Sequence, residues 1–536
     1  MTELQAAFDR IEQHIIRQMD YHCIPGLACA LFDRERILRV TAHGVVNLDS
    51  QAPVQPQHLF MTGSIGKSFT AIALLQLHQA GRLELHAPVT DYLPWFEVGG
   101  DHAEPVTVHQ LLTHTGGVIG VNDVLTDKLY DVWALRHAHA NWAPGSRYHY
   151  SNVGYKTLGL VLEAVEGSSY GEIIRRRILD PLGMTATEPE TTLEMRHKLV
   201  TGYLPYFDDR PWLPHHGLTP AAWLEIATGE GCLAAPVAEQ AIYMQAIMNR
   251  DPRLLSTESF GLFTAKHAEV EPDHWYGYGI DRDEIDGHTI LSHGGEMPGH
   301  MAWMWADLDT GLGFAILINC IAPLYSIART IHQTLAAAAS DQPLPELPDL
   351  ADRTLIEQAS DYAGRYSSMS ADAAAFELVA RDQRLFLRAG GREAEVWRTA
   401  DETYVADHPD FCRLPLRFQG AVDTGFLIRH GEARYASDRV RARESSVDVV
   451  LDERGDITGH YRSYGSVFTN FRIVSGWEGE PLFVNPLGEE WIMERLDPTT
   501  WRLNQSPETV RFETFVEGQA LRASFSGCDY YRTFTA

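Results

Sequence analysis

Three prolines, Pro343, Pro345 and Pro348, fall within the ten residues from Asp341 to Leu350. Proline fixes its own φ and turns the preceding residue away from the helical region, so residues 341–350 are expected to form an extended linker. The hydrophobic pattern differs on its two sides. Upstream, Leu4, Phe8, Ile11, Ile15 and Met19 recur at helical spacing, and Gly26 to Phe32 and Ile37 to Ala42 read as strands around the turn Asp33-Arg-Glu-Arg36. Lys67 to Ala80 is a nearly all-apolar helix closed by Gly81. Further helices are expected over Gly154 to Glu166, Val237 to Asn249 and Ser326 to Ala338, and strands over Thr289 to Ser292, His300 to Trp305 and Gly313 to Asn319. Strands at both ends with helices between them imply one α/β unit, residues 1–340, whose sheet joins distant parts of the chain.

Downstream, short alternating strands replace the helical periods. Gly364-Arg-Tyr-Ser-Ser and Leu385-Phe386 return as Gly459-His-Tyr-Arg-Ser and Leu482-Phe483, and each half ends on a tyrosine-bearing strand, Glu432 to Tyr435 and Cys528 to Arg532. This weak repeat suggests duplication. Two small antiparallel β-barrels, residues 351–445 and 446–536, would satisfy it, because closure removes exposed strand edges. One larger β-sandwich is the competing arrangement.

Composition narrows the partners. The chain has 536 residues, 45% hydrophobic and 22% charged, which are globular values. A net charge of −28 repels phosphate backbones and anionic lipid, which argues against nucleic acid and membrane as partners. The amino-terminal residues lack an apolar signal core and no run reaches the ~18 apolar residues of a membrane span, so a cytoplasmic protein is expected. The six cysteines lack metal-ligand spacing and read as free thiols, and none of the 24 histidines forms an H-E-x-x-H pattern. No metal or cofactor is expected.

Three short patterns carry chemistry. In Ser64-Ile-Gly-Lys67 the serine and lysine share one face at the start of the buried helix. Serine is a weak nucleophile until a base takes its proton, and amides at a helix start can receive the developing oxyanion. Taken alone, the pattern reads more readily as a helix cap and a surface lysine. Tyr150-Ser-Asn152 lies in a loop opened by Pro144-Gly145 and is the only Tyr-x-Asn of the chain. Tyr150 can relay protons beside a cation, and Asn152 can both donate and accept, toward a substrate amide and Lys67. His293-Gly-Gly295 follows the Thr289–Ser292 strand, where glycines let a substrate backbone lie along the edge. H-x-G also occurs at His114-Thr-Gly116 and His215-His-Gly217, which read as ordinary loop histidines. His293 is preferred because it lies between two strands and after both other patterns.

Together these residues resemble the S-x-x-K, Y-x-N, K/H-x-G serine hydrolases, a family that includes class C β-lactamases, DD-peptidases, related esterases and D-aminopeptidases. Ile24-Pro-Gly-Leu27, Leu111-Leu-Thr-His-Thr-Gly-Gly117, Asp180-Pro-Leu-Gly-Met184 and Tyr276-Gly-Tyr-Gly279 agree with the resemblance, which covers about residues 5–340. It implies a β-lactamase/transpeptidase-like α/β domain, an antiparallel sheet flanked by helices with an all-helical subdomain. The tail is similar to that of D-aminopeptidase, where two small lipocalin-like barrels follow the catalytic domain.

The resemblance implies Ser64 as the acylated nucleophile, with Lys67 and Tyr150 sharing general-base and general-acid work. Asn152, His293, Gly295 and Glu296 would line the substrate, and the backbone N–H groups of Ser64 and Glu296 would form the oxyanion hole. The expected partner is a small molecule or short peptide, with a homodimer left open. His293 stands where β-lactamases and DD-peptidases carry a lysine that attracts a substrate carboxylate, so that recognition is weakened here. In D-aminopeptidase-like enzymes an acidic loop of the last barrel holds the substrate amine, a role for which Trp477-Glu-Gly-Glu480 or Glu489-Glu490 is the candidate. A peptidase or amidase on short substrates with a free amine, D-residues among them, leads. A carboxylesterase or β-lactamase-like hydrolase comes second, and a catalytically silent binding protein third.

Overall fold

The computed structural model describes residues 3–100, 104–120, 127–138, 142–369, 374–400, 403–441, 457–463, 468–503 and 508–533. Two units separate by their internal packing. One consists chiefly of Met1–Leu204 and Leu218–Pro348, the other of Pro205–Gly217, Asp349–Tyr464 and Thr469–Ala536.

The first unit is built on a sheet whose strands are β1 (Gly26–Asp33), β2 (Ile37–Gly44), β3 (Ala268–Glu271), β4 (His274–Tyr276), β5 (Asp281–Ile285), β6 (His288–Met297), β7 (His300–Asp307) and β8 (Leu312–Ile318). They lie in the order β2-β1-β8-β7-β6-β5-β4-β3, every neighbouring pair antiparallel. β1 and β8 read as unbroken apolar runs because both faces of the sheet are covered. In β1, Leu27, Cys29 and Leu31 face one core while Ala28, Ala30 and Phe32 face the other. The Leu27 face is covered by α1 (Glu3–His22) through Phe8, Ile11, Ile15 and Met19, and by α5 (Leu324–Ala339) through Ile327, Ile331 and Leu335. Burying four such side chains of α1 contributes on the order of 6–12 kcal/mol before entropy is counted. Ile15→Ala alone would cost about 2–5 kcal/mol.

The other face carries the helical part. Its centre is α2 (Gly66–Gln79), in which 11 residues are buried, and α3 (Asn152–Glu166) and α4 (Val237–Met248) contribute to the same core. α2 has apolar side chains all round, as a helix packed on every side requires. A two-stranded sheet, Phe60–Met61 against Ala234–Ala235, leads the chain into the turn before α2.

The second unit holds two closed eight-stranded antiparallel barrels, which resolves the barrel-or-sandwich alternative in favour of barrels. The first begins with Gly364–Ser368 and ends with Ala433–Ser437, closed by Tyr366 opposite Ser437. The second begins with Gly459–Arg462 and ends with Cys528–Arg532, closed by Tyr461 opposite Arg532. The repeated sequence elements fall on the first, third and eighth strands of each. Tyr366 stacks on Phe376 and donates its hydroxyl to Tyr362 O, while Tyr461 stacks on Phe471 and donates to Ile457 O. The same ring pair and the same bond to the fourth preceding carbonyl occur in both.

Pro205–Gly217, which sequence patterning leaves among the residues before the linker, packs as part of this second unit. Arg462 forks onto the Asp208 carboxylate with two 2.8 Å bonds, and Arg472 donates to Asp209 O at 2.9 Å. Glu490, at the start of a second-barrel strand, accepts from Arg429 at 2.6 Å and pairs with Arg417 at 2.9 Å, both from the first barrel. Glu489 accepts from Asn485 Nδ2, and the Glu480 carboxylate accepts from Glu478 N within its own turn. No disulfide joins the six cysteines. Among the described residues no helix is long and apolar enough to cross a membrane.

Candidate active site

Ser64 sits in a single 3-10 turn, Gly63–Ile65, that runs directly into α2. The cap positions of the turn and of α2 are Thr62 and Ile65, so the reading of Ser64 as a mere helix cap does not hold. The turn lies against β6, whose pairing with β5 stops at Ser292 while its pairing with β7 continues to Met297. From His293 onward β6 therefore has one edge free of strand partners among the described residues. The strand does not end at Ser292 as patterning suggests. It runs five residues further, because the tight turn at Pro298-Gly299 keeps Met297 opposite His300, with Gly299 at φ +75.

Glycine permits the close approach of turn and strand. A Cβ on Gly295 would stand 1.9 Å from Thr62 O and 3.1 Å from Ser64 N. A Cβ on Gly63, whose φ is +52, would stand 2.5 Å from Glu296 N. The amide nitrogens of Ser64 and Glu296 thus belong to one seam, where two backbone donors can face a single oxygen.

Lys67 follows one turn later and is 0% exposed, not a surface residue. Its Nζ donates to Ser64 Oγ at 2.8 Å, Asn152 Oδ1 at 2.7 Å and Glu230 O at 3.1 Å. A buried amine is costly unless its hydrogen-bonding capacity is satisfied, and three oxygens converge on this one. The Tyr150 ring centroid lies 4.7 Å from the same nitrogen. Ser151 is the cap of α3, accepting from Gly154 N at 3.1 Å and donating to Ile119 O at 2.6 Å. Asn152 is the first residue of that helix, a rigid mounting for its carbonyl oxygen.

His293 is buried, and its imidazole is used within the protein. Nδ1 bonds to Gly294 O, which leaves Nε2 to accept from Tyr276 Oη at 3.0 Å. Burial lowers its pKa below the ordinary histidine value despite the opposing influence of Asp281, and the nearby Lys67 charge lowers it further. It is a neutral ring and offers no cation to a substrate.

Sequence patterning passes over His114, set aside as a loop histidine. It is 2% exposed and adopts φ +58 in a tight turn. Its Nδ1 accepts from Ser151 N at 3.0 Å, its carbonyl accepts from His149 N at 2.7 Å, and its ring centroid lies 4.3 Å from that of Tyr150. Burial, then the Lys67 charge, holds its pKa well below the usual value. His114 thereby clamps both sides of Tyr150. The only sequence signal was its place in Leu111–Gly117.

Two groups of side chains could hold a metal among the described residues, His288 with Asp307 and His332, and His215 with His216 and Asp407. Neither includes a residue of the Ser64 cluster. Burial alone would raise the Asp307 carboxyl, but hydrogen bonds from His332 and from the Thr310 and Asp309 amides hold it at about 2.

The Beta-lactamase family model matches residues 11–338. Penicillin-binding protein 4 of Amycolatopsis lactamdurans is 33% identical over 183 residues, 33% of this chain and 48% of that protein. The chain thus spans about half the length of this curated relative. The octameric penicillin-binding protein homologue from Pyrococcus abyssi superposes with a TM-score of 0.58 at 23% identity, covering 80% of this chain and 100% of that one. A D-stereospecific amidohydrolase from Streptomyces sp. gives 0.51 at 23% identity, covering 62% and 98%. At these identities the two structures speak for the fold alone.

Proposed function

We propose, from the premise that the chain belongs to the Beta-lactamase family, that it is a serine hydrolase working through an acyl-enzyme on Ser64, with short amides that carry a free amine as substrates. The observation that carries this reading is the position of Lys67 Nζ, fully buried and within 2.8 Å of both Ser64 Oγ and Asn152 Oδ1.

As Ser64 Oγ bonds to the substrate carbonyl carbon, its proton passes to the pair Lys67 and Tyr150. The carbonyl oxygen takes the electron pair and is held by Ser64 N–H and Glu296 N–H. Collapse breaks the bond to the leaving group, which receives the proton, and water then repeats the sequence to free the acid and Ser64. The open edge of β6 after Ser292 suits a peptide-like substrate lying as an added strand. His114 acts as a positioning residue, holding the Tyr150-Ser-Asn152 turn to Lys67.

Two features favour an amine-bearing substrate of D-aminopeptidase type over one with a terminal carboxylate at His293. That imidazole is neutral and bonded to Tyr276, and the net charge of −28 draws cations. Glu490 is committed to Arg417 and Arg429, which leaves it poorly suited to hold the amine.

A fluorophosphonate probe read by intact mass tests the nucleophile: one adduct is expected on the natural chain and none on Ser64→Ala. An adduct of equal yield on Ser64→Ala would sink the reading. D-alanyl and L-alanyl p-nitroanilides, a short aryl ester and a chromogenic β-lactam, compared on one preparation, test the substrate class. Turnover of the ester alone would reject the aminopeptidase reading.

A further inference from the structure

One carboxylate beside the oxyanion seam has no partner. The Glu296 side chain makes no hydrogen bond or ion pair among the described residues. Other acids around the site are engaged. Glu230, whose carbonyl accepts from Lys67 Nζ, has its carboxylate on Thr228 Oγ1 at 2.7 Å and 3.6 Å from Lys156 Nζ. Asp281, opposite Ser292 in the β5–β6 pairing, pairs with His274 at 3.0 Å. Glu296 is exposed, yet the protein around it desolvates its carboxyl and raises its pKa, with no partner opposing the rise. A group that solvent reaches while protein flanks it belongs to the wall of a cleft.

The strand fixes where that group stands. Met297 and His300 close the β6–β7 hairpin across a two-residue turn, so hydrogen-bonded pairs alternate back along β6 and Glu296 falls between them. Its N–H and C=O therefore point away from β7 to the free edge, where a Cβ on Gly63 would stand 2.5 Å from the nitrogen and 2.6 Å from the oxygen. The Cβ direction of Gly295 runs into Thr62 O. Side chains alternate along a strand, so that of Glu296 leaves β6 on the other face. A substrate laid on the edge thus has the Ser64 turn on one side and the Glu296 side chain on the other. Five bonds separate the Glu296 nitrogen from its carboxylate oxygens, a reach of roughly 6 Å. The oxyanion would sit about 3 Å from the same nitrogen, so an amine on the carbon next to the scissile carbonyl falls within that reach.

We propose that the Glu296 carboxylate holds the ammonium group of the substrate. The inference rests on the reading of Ser64 and of an amine-bearing substrate given above. Glu296 then serves the reaction twice, its backbone N–H receiving the oxyanion and its side chain receiving the amine. The charge that selects the substrate lies within the catalytic unit itself, on a paired strand. The same carboxylate repels an anionic group at this position, in keeping with a His293 ring that offers no cation.

The test compares kcat/KM for ethyl D-alaninate with that for ethyl propionate, which differ only in the amine. Both are followed by pH-stat, at a pH where the amine is protonated, in the full chain and in Glu296→Gln and Glu296→Lys. Both variants keep the backbone N–H, and the ratio cancels any change in the oxyanion hole that the two esters share. The alaninate-to-propionate ratio is expected to fall about tenfold in Glu296→Gln, as for a lost hydrogen bond to a charged group, and further in Glu296→Lys. Ser64-dependent turnover with an unmoved or raised ratio in both variants overturns the role of Glu296 while leaving the nucleophile standing. Turnover of neither ester, or turnover undiminished in Ser64→Ala, overturns the reading of Ser64, and this assignment with it.

Discussion

The two units place polarity differently. In the catalytic unit Lys67, Thr62, Ser68, Thr70 and Thr157 are all 0% exposed, and glycines bring backbone segments close enough for these groups to meet. The barrel interiors combine aliphatic side chains with stacked rings, Tyr366, Phe376 and Tyr435 in one and Tyr461, Phe471 and Phe483 in the other. Many of their charges form ladders on outer strand faces, such as Arg388 with Glu377 and Glu393, and Arg522 with Glu513. Exposed pairs of that kind contribute about 0–1 kcal/mol each. Buried polar groups cost stability unless each finds its partner, so their concentration around Ser64 marks the region where geometry serves chemistry.

The largest effect that could break this contrast is at Lys67. Lys67→Met keeps the volume but removes the base, and the Ser64 acylation rate should fall at least ~10⁴-fold. A loss below tenfold, read by stopped-flow with an aryl ester, would mean that the buried amine is structural. Gly295→Ala comes next. Its Cβ meets Thr62 O, so Ser64 N and Glu296 N must separate, with an expected ~10²–10³-fold drop in acylation. Unchanged kinetics would remove the seam from the mechanism.

His114→Phe keeps a ring against Tyr150 but deletes the acceptor of Ser151 N–H. A roughly tenfold lower kcat is expected, with the alkaline limb of the pH profile displaced and KM little changed, and His114→Gln should recover part of it. A uniform rise in KM with an unmoved pH profile would instead mark a packing role.

Acid should also separate the units. Burial lowers His14 and His109 to about 4 and His300 to about 3 in the catalytic unit, and His430 and His460 to about 4 in the barrels. His114 and His293 add to the first group. In the unfolded chain such rings take a proton below pH ~6.5, while the folded forms stay neutral until near their lowered values. The unfolded state therefore binds more protons between those limits, and stability falls as pH drops from about 6.5 toward 4. Each ring contributes up to about 1.4 kcal/mol per pH unit. Two calorimetric transitions are expected, the catalytic one moving further. A larger shift of the barrel transition would contradict this accounting.

The smallest effect sharpens the duplication. Tyr366→Phe and Tyr461→Phe each delete one hydroxyl bond to a backbone carbonyl four residues back and should each cost about 1 kcal/mol in the barrel transition. Losses differing by more than about 2 kcal/mol would show that the two barrels no longer use the tyrosine alike.

Much of the fold was legible because one-dimensional patterns reflect local physics. The stripe from Phe8 to Met19 became α1, the all-apolar run after Lys67 became the buried α2, and the weak repeat around Gly364 and Gly459 landed on equivalent barrel strands. Ser64, Lys67, Tyr150 and Asn152 stand out in the sequence because a serine and a lysine one helical turn apart, and a Tyr-x-Asn, form recognisable short patterns. His114 stayed hidden because its importance arises from a contact with Ser151, 37 residues away. The attachment of Pro205–Gly217 to the barrel unit has no local sign either, since it depends on Arg462 and Arg472, more than 250 residues further on. His293 was recognised but its strand was cut short, as glycine has a low strand propensity and the pairing with β7 overrides it.

By itself, then, the sequence determined the sheet-and-helix fold, the β-strand tail and the residue types around Ser64, because spacing and polarity along the chain carry that information. Only the tertiary structure decided that Lys67 lies fully buried on Ser64 and Asn152, that Gly63 and Gly295 bring two amides to one seam, and that the imidazole of His293 is already bonded to Tyr276. These outcomes follow from contacts between distant segments, where burial, hydrogen-bond satisfaction and backbone clearance are set jointly by residues no local pattern relates.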